Sequence, residues 1–253
     1  MISKATIKYI RSLDHKKIRN QEKVFVAEGP KVVGDLLAIQ PAKTIIATKE
    51  WMSRQEKALF TTYVEVSEEE LKKVSFLQHP QNVLAVFDQR EVPQTPHPDK
   101  ELTLALDGVQ DPGNLGTIIR ISDWFGIESI VCSLDTVDVY NPKVVQATMG
   151  SIARVNLLYT DLLAYIAGLS TDTPIYGTFL DGKDIYTEPL TSNGLLVMGN
   201  EGNGISESVS RLINHRLLIP NYPEGRPTAD SLNVAIATAI TCSEFRRNGN
   251  RHQ

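Results

Sequence analysis

The chain has 253 residues, with 26 Lys and Arg against 30 Asp and Glu, a net charge of −4, and 42% hydrophobic and 22% charged residues. At roughly 100–200 residues per domain this is one large domain or two small ones, and the composition excludes a disordered chain, a collagen and a uniformly basic nucleic-acid wrapper. No apolar run reaches the roughly 18–20 residues of a membrane helix, and the N-terminus lacks the apolar stretch of a signal peptide, so no membrane association and a cytoplasmic location are expected.

In chain order, residues 1–31 carry eight Lys and Arg against three Asp and Glu, a local +5 that leaves −9 for the remainder. Clustered positive charge is the footprint of a polyanion partner, or else a solvated helix face. This basic helix is followed by a strand, VFVAEG (24–29), and a helix, PKVVGDLLAI. A second strand is expected at 43–48, a helix from Trp51 to Phe60, and a third strand at 63–67. Ser67 and Glu70 form a capping box ahead of a short helix, and NVLAVFD (82–88) is a further strand. Residues 91–100 carry three prolines and no apolar period, which marks a linker. The expected organisation is an N-terminal domain at 1–92, a connector at 93–100 and a larger domain at 101–253.

LTLALDGV (102–109) is apolar enough for a strand buried on both faces of a parallel sheet. DPGN turns the chain, Asn114 is a candidate N-cap, and a helix runs to Gly126. ESIVC, VNLLY, PIYGTFL, GLLVMG (194–199) and RLLIP (216–220) read as strands. Helices between them are expected at Asn141-Pro142 onward, at 160–169 and at 205–214, and a last helix from Ser231 to Arg247. Strands alternating with helices imply an α/β fold with a mostly parallel sheet.

Cys132 and Cys242 lack C-x-x-C spacing and the five histidines are scattered, so neither a metal site nor a disulfide framework is expected. Phosphate-loop, zinc-protease and nucleophile-elbow motifs are absent. Three junctions stand out, each where open α/β sheets bind ligands, beyond the carboxyl ends of strands. In DPGNLGTIIR (111–120), Arg120 lies on an otherwise apolar helix, where a guanidinium is either exposed on a buried stem or paired with a carboxylate or phosphate. In VMGNEGNGIS (197–206) the glycines run G-x-x-G-x-G, the reverse of a dinucleotide fingerprint, with Glu201 among them. In the third (219–240), Ser231 and Asn233 stand at the mouth of a helix, as a simple cap or as a hydroxyl and an amide at a pocket.

Taken together and in order, these motifs resemble the SpoU family of RNA ribose 2′-O-methyltransferases, within the SPOUT superfamily: N-L-G-x-x-x-R at 114–120, G-x-E-G-x-G at 199–204, and I-P…S-L-N-V from Ile219 to Val234. Arg19, Phe25, Glu28 and Gly29 are similar to the N-terminal substrate-binding domain often joined to that family, which is related in fold to L30e-type RNA-binding proteins. The resemblance implies a C-terminal α/β domain with a mostly parallel sheet and a deep trefoil knot, S-adenosylmethionine bound in a bent shape, and a homodimer whose active sites draw on both subunits. It implies cofactor contacts at Thr178, Leu180, Gly199, Asn200, Gly202, Ile219, Pro220 and Leu232, mostly through backbone groups. The implied catalytic group is Asn114, Arg120, Glu201, Ser231 and Asn233. Arg120 is sometimes assigned as the base in this family, but a guanidinium stays protonated, which favours a clamp on the RNA phosphate or the developing alkoxide. The implied activity is methyl transfer to a ribose 2′-hydroxyl of rRNA or tRNA. Its alternatives are an RNA-binding or ribosome-assembly factor of the same fold without catalysis, and an α/β enzyme acting on a small nucleotide. The 221–230 segment is longer than the family's usual loop and contains two prolines, which suits a lid or rim for the target.

Overall fold

The computed structural model describes residues 2–55, 59–91, 94–223, 226 and 229–249. They fall into two compact units: one comprises Met1–Glu91 with Asp138–Ala153, the other Val92–Val137 with Arg154–Gln253.

In the first unit the expected single basic helix is two, α1 (Lys4–Ser12) and α2 (Lys16–Glu22). Ser3 caps α1 by accepting from the Thr6 N–H at 3.0 Å. The interruption is stabilised from within, because the Arg19 guanidinium of α2 donates to the carbonyls of Leu13 (2.9 Å) and Asp14 (2.7 Å). Strands β1 (Val24–Glu28), β2 (Ala42–Ala47), β3 (Phe60–Glu65) and β4 (Val83–Asp88) form a sheet in the order β1-β4-β2-β3. It is mixed rather than parallel: β4 runs antiparallel to β1 and β2, and only β2 and β3 are parallel. Helices α3 (Pro30–Leu37), α4 (Lys49–Met52) and α5 (Glu68–Val74) connect the strands. The helix expected from Trp51 to Phe60 ends at Met52, and Phe60 opens a strand; residues 56–58 lie outside the described residues. The Ser67–Glu70 capping box is present.

β1 is an edge strand by pairing, yet all five of its residues are buried. The cover comes from α7 (Pro142–Ala147), which packs on β1, and from Tyr140, whose ring centroid lies 4.7 Å from that of Phe25. The Arg90 guanidinium holds the same segment by donating to the carbonyls of Ile152 (2.9 Å) and Ala153 (3.0 Å). Glu28 is buried at the end of β1, where burial pushes its carboxyl up in pKa against the opposing pull of the Ser75 hydroxyl and the Phe76 N–H.

The second unit is built on β5 (Leu102–Asp107), β6 (Ser129–Ser133), β7 (Asn156–Thr160), β8 (Ile175–Asp184), β9 (Gly194–Gly199) and β10 (His215–Leu218). Their order is β10-β8-β9-β5-β6-β7 and every pairing is parallel. β9 is buried at all six positions and β5 at five of six, as their unbroken apolar runs predict. Helices α6 (Pro112–Trp124), α8 (Leu162–Ala167), α9 (Glu207–Ser210) and α10 (Val234–Gly249) accompany the sheet, with α10 packed on α6. α9 is much shorter than the helix expected at 205–214. In the proline-rich stretch, Val92 and Pro93 lie outside the described residues; beyond them the Pro96 carbonyl accepts from the Tyr165 hydroxyl (2.9 Å) and the Asp99 carbonyl from the Asn193 amide (2.9 Å).

Candidate active site

Because β10, β8, β9 and β5 are parallel neighbours, their carboxyl ends share one rim of the sheet. The loops that leave this rim carry Asn200, Glu201, Gly202, Ile219, Pro220, Ser231, Leu232 and Asn233, while Asn114 and Arg120 lie on α6, Thr178 and Leu180 on β8 and Gly199 at the end of β9. At the end of β9, Gly199 is required by a close approach: a Cβ there would lie 2.2 Å from the carbonyl carbon of Gly204. The chain folds back on itself through Asn200, whose backbone pairs with Gly204 in both directions at 2.9 Å. The Asn200 side chain secures the loop at both ends. Its Oδ1 accepts from the N–H groups of Gly202 (2.9 Å) and Asn203 (3.1 Å), and its Nδ2 donates to the Gly108 carbonyl just beyond β5 (2.6 Å).

That fold aims Glu201 at the start of α6. Its carboxylate accepts from the N–H groups of Asp111 (3.1 Å) and Gln110 (3.3 Å) and from Asn114 Nδ2 (3.0 Å). Partial burial raises the Glu201 pKa, but the Asn114 amide and the backbone N–H groups outweigh it, and the carboxyl is held below the ordinary carboxylate range. A depressed folded pKa gives stability that is complete above the ordinary range and disappears as pH falls through the folded value. The urea midpoint of the wild type is therefore expected to exceed that of Glu201→Gln at neutral pH, with the gap closing only in acid below the ordinary carboxylate range; a constant gap across that range would contradict this.

Asn233 completes the arrangement. Its Oδ1 accepts from Ala235 N (2.9 Å) and Ile236 N (3.3 Å), so Asn233, not Ser231, caps α10. This leaves Asn233 Nδ2 to donate to Asn114 Oδ1 at 2.9 Å, which turns Asn114 Nδ2 toward Glu201. Each amide orientation is thus dictated by its neighbour, and the three loops are tied by one polar chain. Every amide nitrogen carries two hydrogens, and among the described residues one is used on each, leaving one on Asn114 and one on Asn233 for a ligand.

The other predicted residues are placed less uniformly. Asn114 is not the cap of α6; Asp111 is, accepting from Asn114 N at 2.8 Å with Pro112 at the first helical position. Arg120 is exposed on α6 and Ser231 is exposed ahead of α10, and among the described residues neither joins the polar chain. Thr178 is half-buried on β8, Leu180 is 75% exposed, Ile219 and Pro220 follow β10, and Leu232, 51% exposed, precedes the α10 cap. The buried end of β9, a glycine that admits no side chain, and the exposed Leu180 and Leu232 suit a partly apolar ligand held in part through backbone groups. The cap at Asp111 carries the same Asp/Asn-Pro signal as Asn141-Pro142, whereas the tie from Asn200 to the end of β5 has no local sequence signal. Part of the 221–230 loop lies outside the described residues.

Comparison with known proteins adds the following. Residues 101–243 match the model of the SpoU rRNA Methylase family, and residues 4–85 match the MRM3-like substrate binding domain. The chain is 30% identical to the 23S rRNA (guanosine(2553)-2'-O)-methyltransferase RlmP of Bacillus subtilis, over 95% of each chain. Among solved structures it is similar to a putative RNA methyltransferase of the TrmH family from Porphyromonas gingivalis, with 42% identity, TM-score 0.88 and coverage of 98% of this chain and 100% of that one. It is also similar to an AdoMet-bound rRNA methyltransferase from Sinorhizobium meliloti, with 33% identity, TM-score 0.84 and coverage of 98% and 96%.

Proposed function

The chain belongs to the SpoU rRNA methylase family, and from that premise we propose that it transfers a methyl group from S-adenosylmethionine to a ribose 2′-hydroxyl of ribosomal RNA. The observation that carries this reading at the level of residues is the chain Asn233, Asn114, Glu201 across three loops of one sheet rim.

S-Adenosylmethionine, when bound, supplies an electrophilic methyl group on a sulfonium. Thr178, Leu180, Gly199, Asn200, Gly202, Ile219, Pro220 and Leu232 are the residues we assign to holding it, and the close approach at Gly199 supports this assignment. The remaining task is to place the 2′-oxygen in line and manage its proton. Asn114 and Asn233 each have an N–H to offer the ribose, Glu201 fixes Asn114 and the start of α6, and Ser231 adds a hydroxyl at the same rim. Arg120 clamps phosphate or the developing alkoxide. The need for a 2′-hydroxyl excludes DNA as a substrate.

Residues 1–92 are assigned to RNA recognition, 93–100 to the connector and 101–253 to methyl transfer, except that Asp138–Ala153 belongs structurally to the first unit. Lys4, Lys8, Lys16, Lys17 and Lys23 are exposed on the first unit, whereas Arg19 is 1% exposed and internally paired, so it contributes nothing to a surface patch. Replacing Lys16 and Lys17 together by Gln is expected to weaken RNA binding and to flatten the slope of log affinity against log salt by about 0.7–0.9 for each lysine that contacts a phosphate. An unchanged slope would return these lysines to a solvated face.

A homodimer and a cytoplasmic location complete the proposal. Leu232 and Ile236, both about half exposed around the start of α10, support a second copy there, and Arg120, outside its own subunit's polar chain, suits a site shared between two copies. Among the described residues no helix is long and apolar enough to cross a membrane, and no cluster of metal-ligating side chains is present. The deciding experiment is methyl transfer from labelled S-adenosylmethionine to total rRNA and total tRNA, with mapping of the modified ribose. Label on rRNA riboses is the expected result; binding of cofactor and RNA without transfer would favour an assembly factor.

A further inference from the structure

β8 and β10 pair in two short stretches separated by a break. His215 and Arg216 face Tyr176 and Gly177, whereas Leu217 and Leu218 face Lys183 and Asp184. One step along β10 therefore spans six along β8, and residues 178–182 have no partner on β10. Both feet of this excursion are glycines, and at Gly182 the neighbouring backbone leaves no room for a side chain, whereas at Gly177 a Cβ would press on side-chain tips. A Cβ on Gly177 would lie 2.6 Å from Ile213 Cδ1, and one on Gly182 would lie 2.4 Å from the Leu217 carbonyl carbon.

Arg216 stands at the neck between those feet. Its guanidinium lies over the Phe179 ring, 3.5 Å from the centroid, and donates to Asp181 Oδ1 at 2.6 Å and to Ser210 Oγ of α9 at 3.0 Å. A planar guanidinium can stack on a ring and donate in its own plane at once; a lysine ammonium cannot. An ion pair with so exposed a carboxylate contributes little to global stability. The consequence of the arrangement is local: the residues on either side of Leu180 are pinned, and Leu180 is left 75% exposed at the rim that holds Gly199.

We propose that Arg216 is a positioning residue for the cofactor, clamping Phe179 and Asp181 so that the 178–182 excursion presents Thr178 and Leu180 in the conformation that binds S-adenosylmethionine. The inference rests on the cofactor assignment above and goes beyond it, since Arg216 belongs to none of the motifs. The clamp acts on binding rather than on chemistry. Without it the excursion samples more conformations, and the cofactor must order the loop at the expense of affinity.

The test is calorimetric titration of the full chain with S-adenosylmethionine, with steady-state methyl transfer and thermal unfolding on the same samples. Arg216→Ala is expected to weaken cofactor affinity and raise the cofactor KM by about tenfold, with kcat at saturating cofactor and the KM for RNA within about twofold of wild type. Arg216→Lys should recover only part of the loss, because it restores charge without the stack, and Asp181→Asn should cost about threefold. If Arg216→Ala does not fold, Asp181→Asn, at an exposed position, decides, and unchanged affinity there overturns the clamp. A folded Arg216→Ala that binds cofactor as the wild type does, or that loses kcat instead of affinity, also overturns it. A wild-type protein that binds no S-adenosylmethionine removes the cofactor assignment itself and the inference with it.

Discussion

Arg120→Ala is expected to lower methyl transfer by about 10²–10³-fold, the cost of removing one preorganised charge from a developing oxyanion, while leaving the affinity for S-adenosylmethionine within about twofold. The split follows from position. The residues assigned to the cofactor lie on β8, at and just after the end of β9, just after β10 and ahead of α10, whereas Arg120 projects from α6, exposed and outside the polar chain that secures those loops. A guanidinium, which stays protonated in proteins, is a poor proton acceptor at neutral pH but a permanent positive charge. Arg120→Lys, which keeps charge but not the planar fork, should retain part of the activity. Single-turnover methylation at saturating RNA, beside calorimetry with the cofactor, measures both quantities. Unchanged turnover would remove Arg120 from the mechanism, and a matching loss of cofactor affinity would make it a cofactor residue.

Arg19→Ala is expected to destabilise the protein by about 3–5 kcal/mol, the usual cost of deleting one partner of a buried ion pair. The Arg19 side chain is 1% exposed and that of Asp138 is 11% exposed, and they pair at 2.5 Å. Removing the guanidinium leaves the Asp138 carboxylate without its cation and the Leu13 and Asp14 carbonyls without donors at the break between α1 and α2. Asp138 opens the segment that covers β1, so the damage reaches the edge of the N-terminal sheet. Asp138→Asn, which keeps an acceptor, should cost less. Urea unfolding monitored by circular dichroism reads both. A loss under about 1 kcal/mol for Arg19→Ala would mean that solvent reaches the pair, and would return Arg19 to the candidates for RNA contact.

Arg19 shows how far a sequence reading carries. Its charge marks the N-terminal segment as basic, and five neighbouring lysines are indeed exposed, but its own role is internal and was set by a residue more than a hundred positions away. Local signals fared well where nothing distant competed with them. The Ser67–Glu70 box and the Asn141 cap formed as expected, and the apolar runs of β5 and β9 became strands buried on both faces. They failed where two candidates for one role stood close together. Asp111 rather than Asn114 caps α6, because the Asn114 side chain is engaged by Glu201 and Asn233 on other loops, and Asn233 rather than Ser231 caps α10.

For this protein the sequence by itself determined the alternation of strands and helices, the burial of the second sheet, and the three motifs that give the family. These depend on period, run length and residue type, which act within a few neighbours. The tertiary structure decided which side chains meet: Asn233 with Asn114 and Glu201, Arg216 with Phe179 and Asp181, Arg19 with Asp138. It also decided that residues 138–153 complete the N-terminal unit. Such pairings arise when strands far apart in sequence come to lie side by side, and the orientation of an amide or a guanidinium is then fixed by donors and acceptors that the local sequence does not contain.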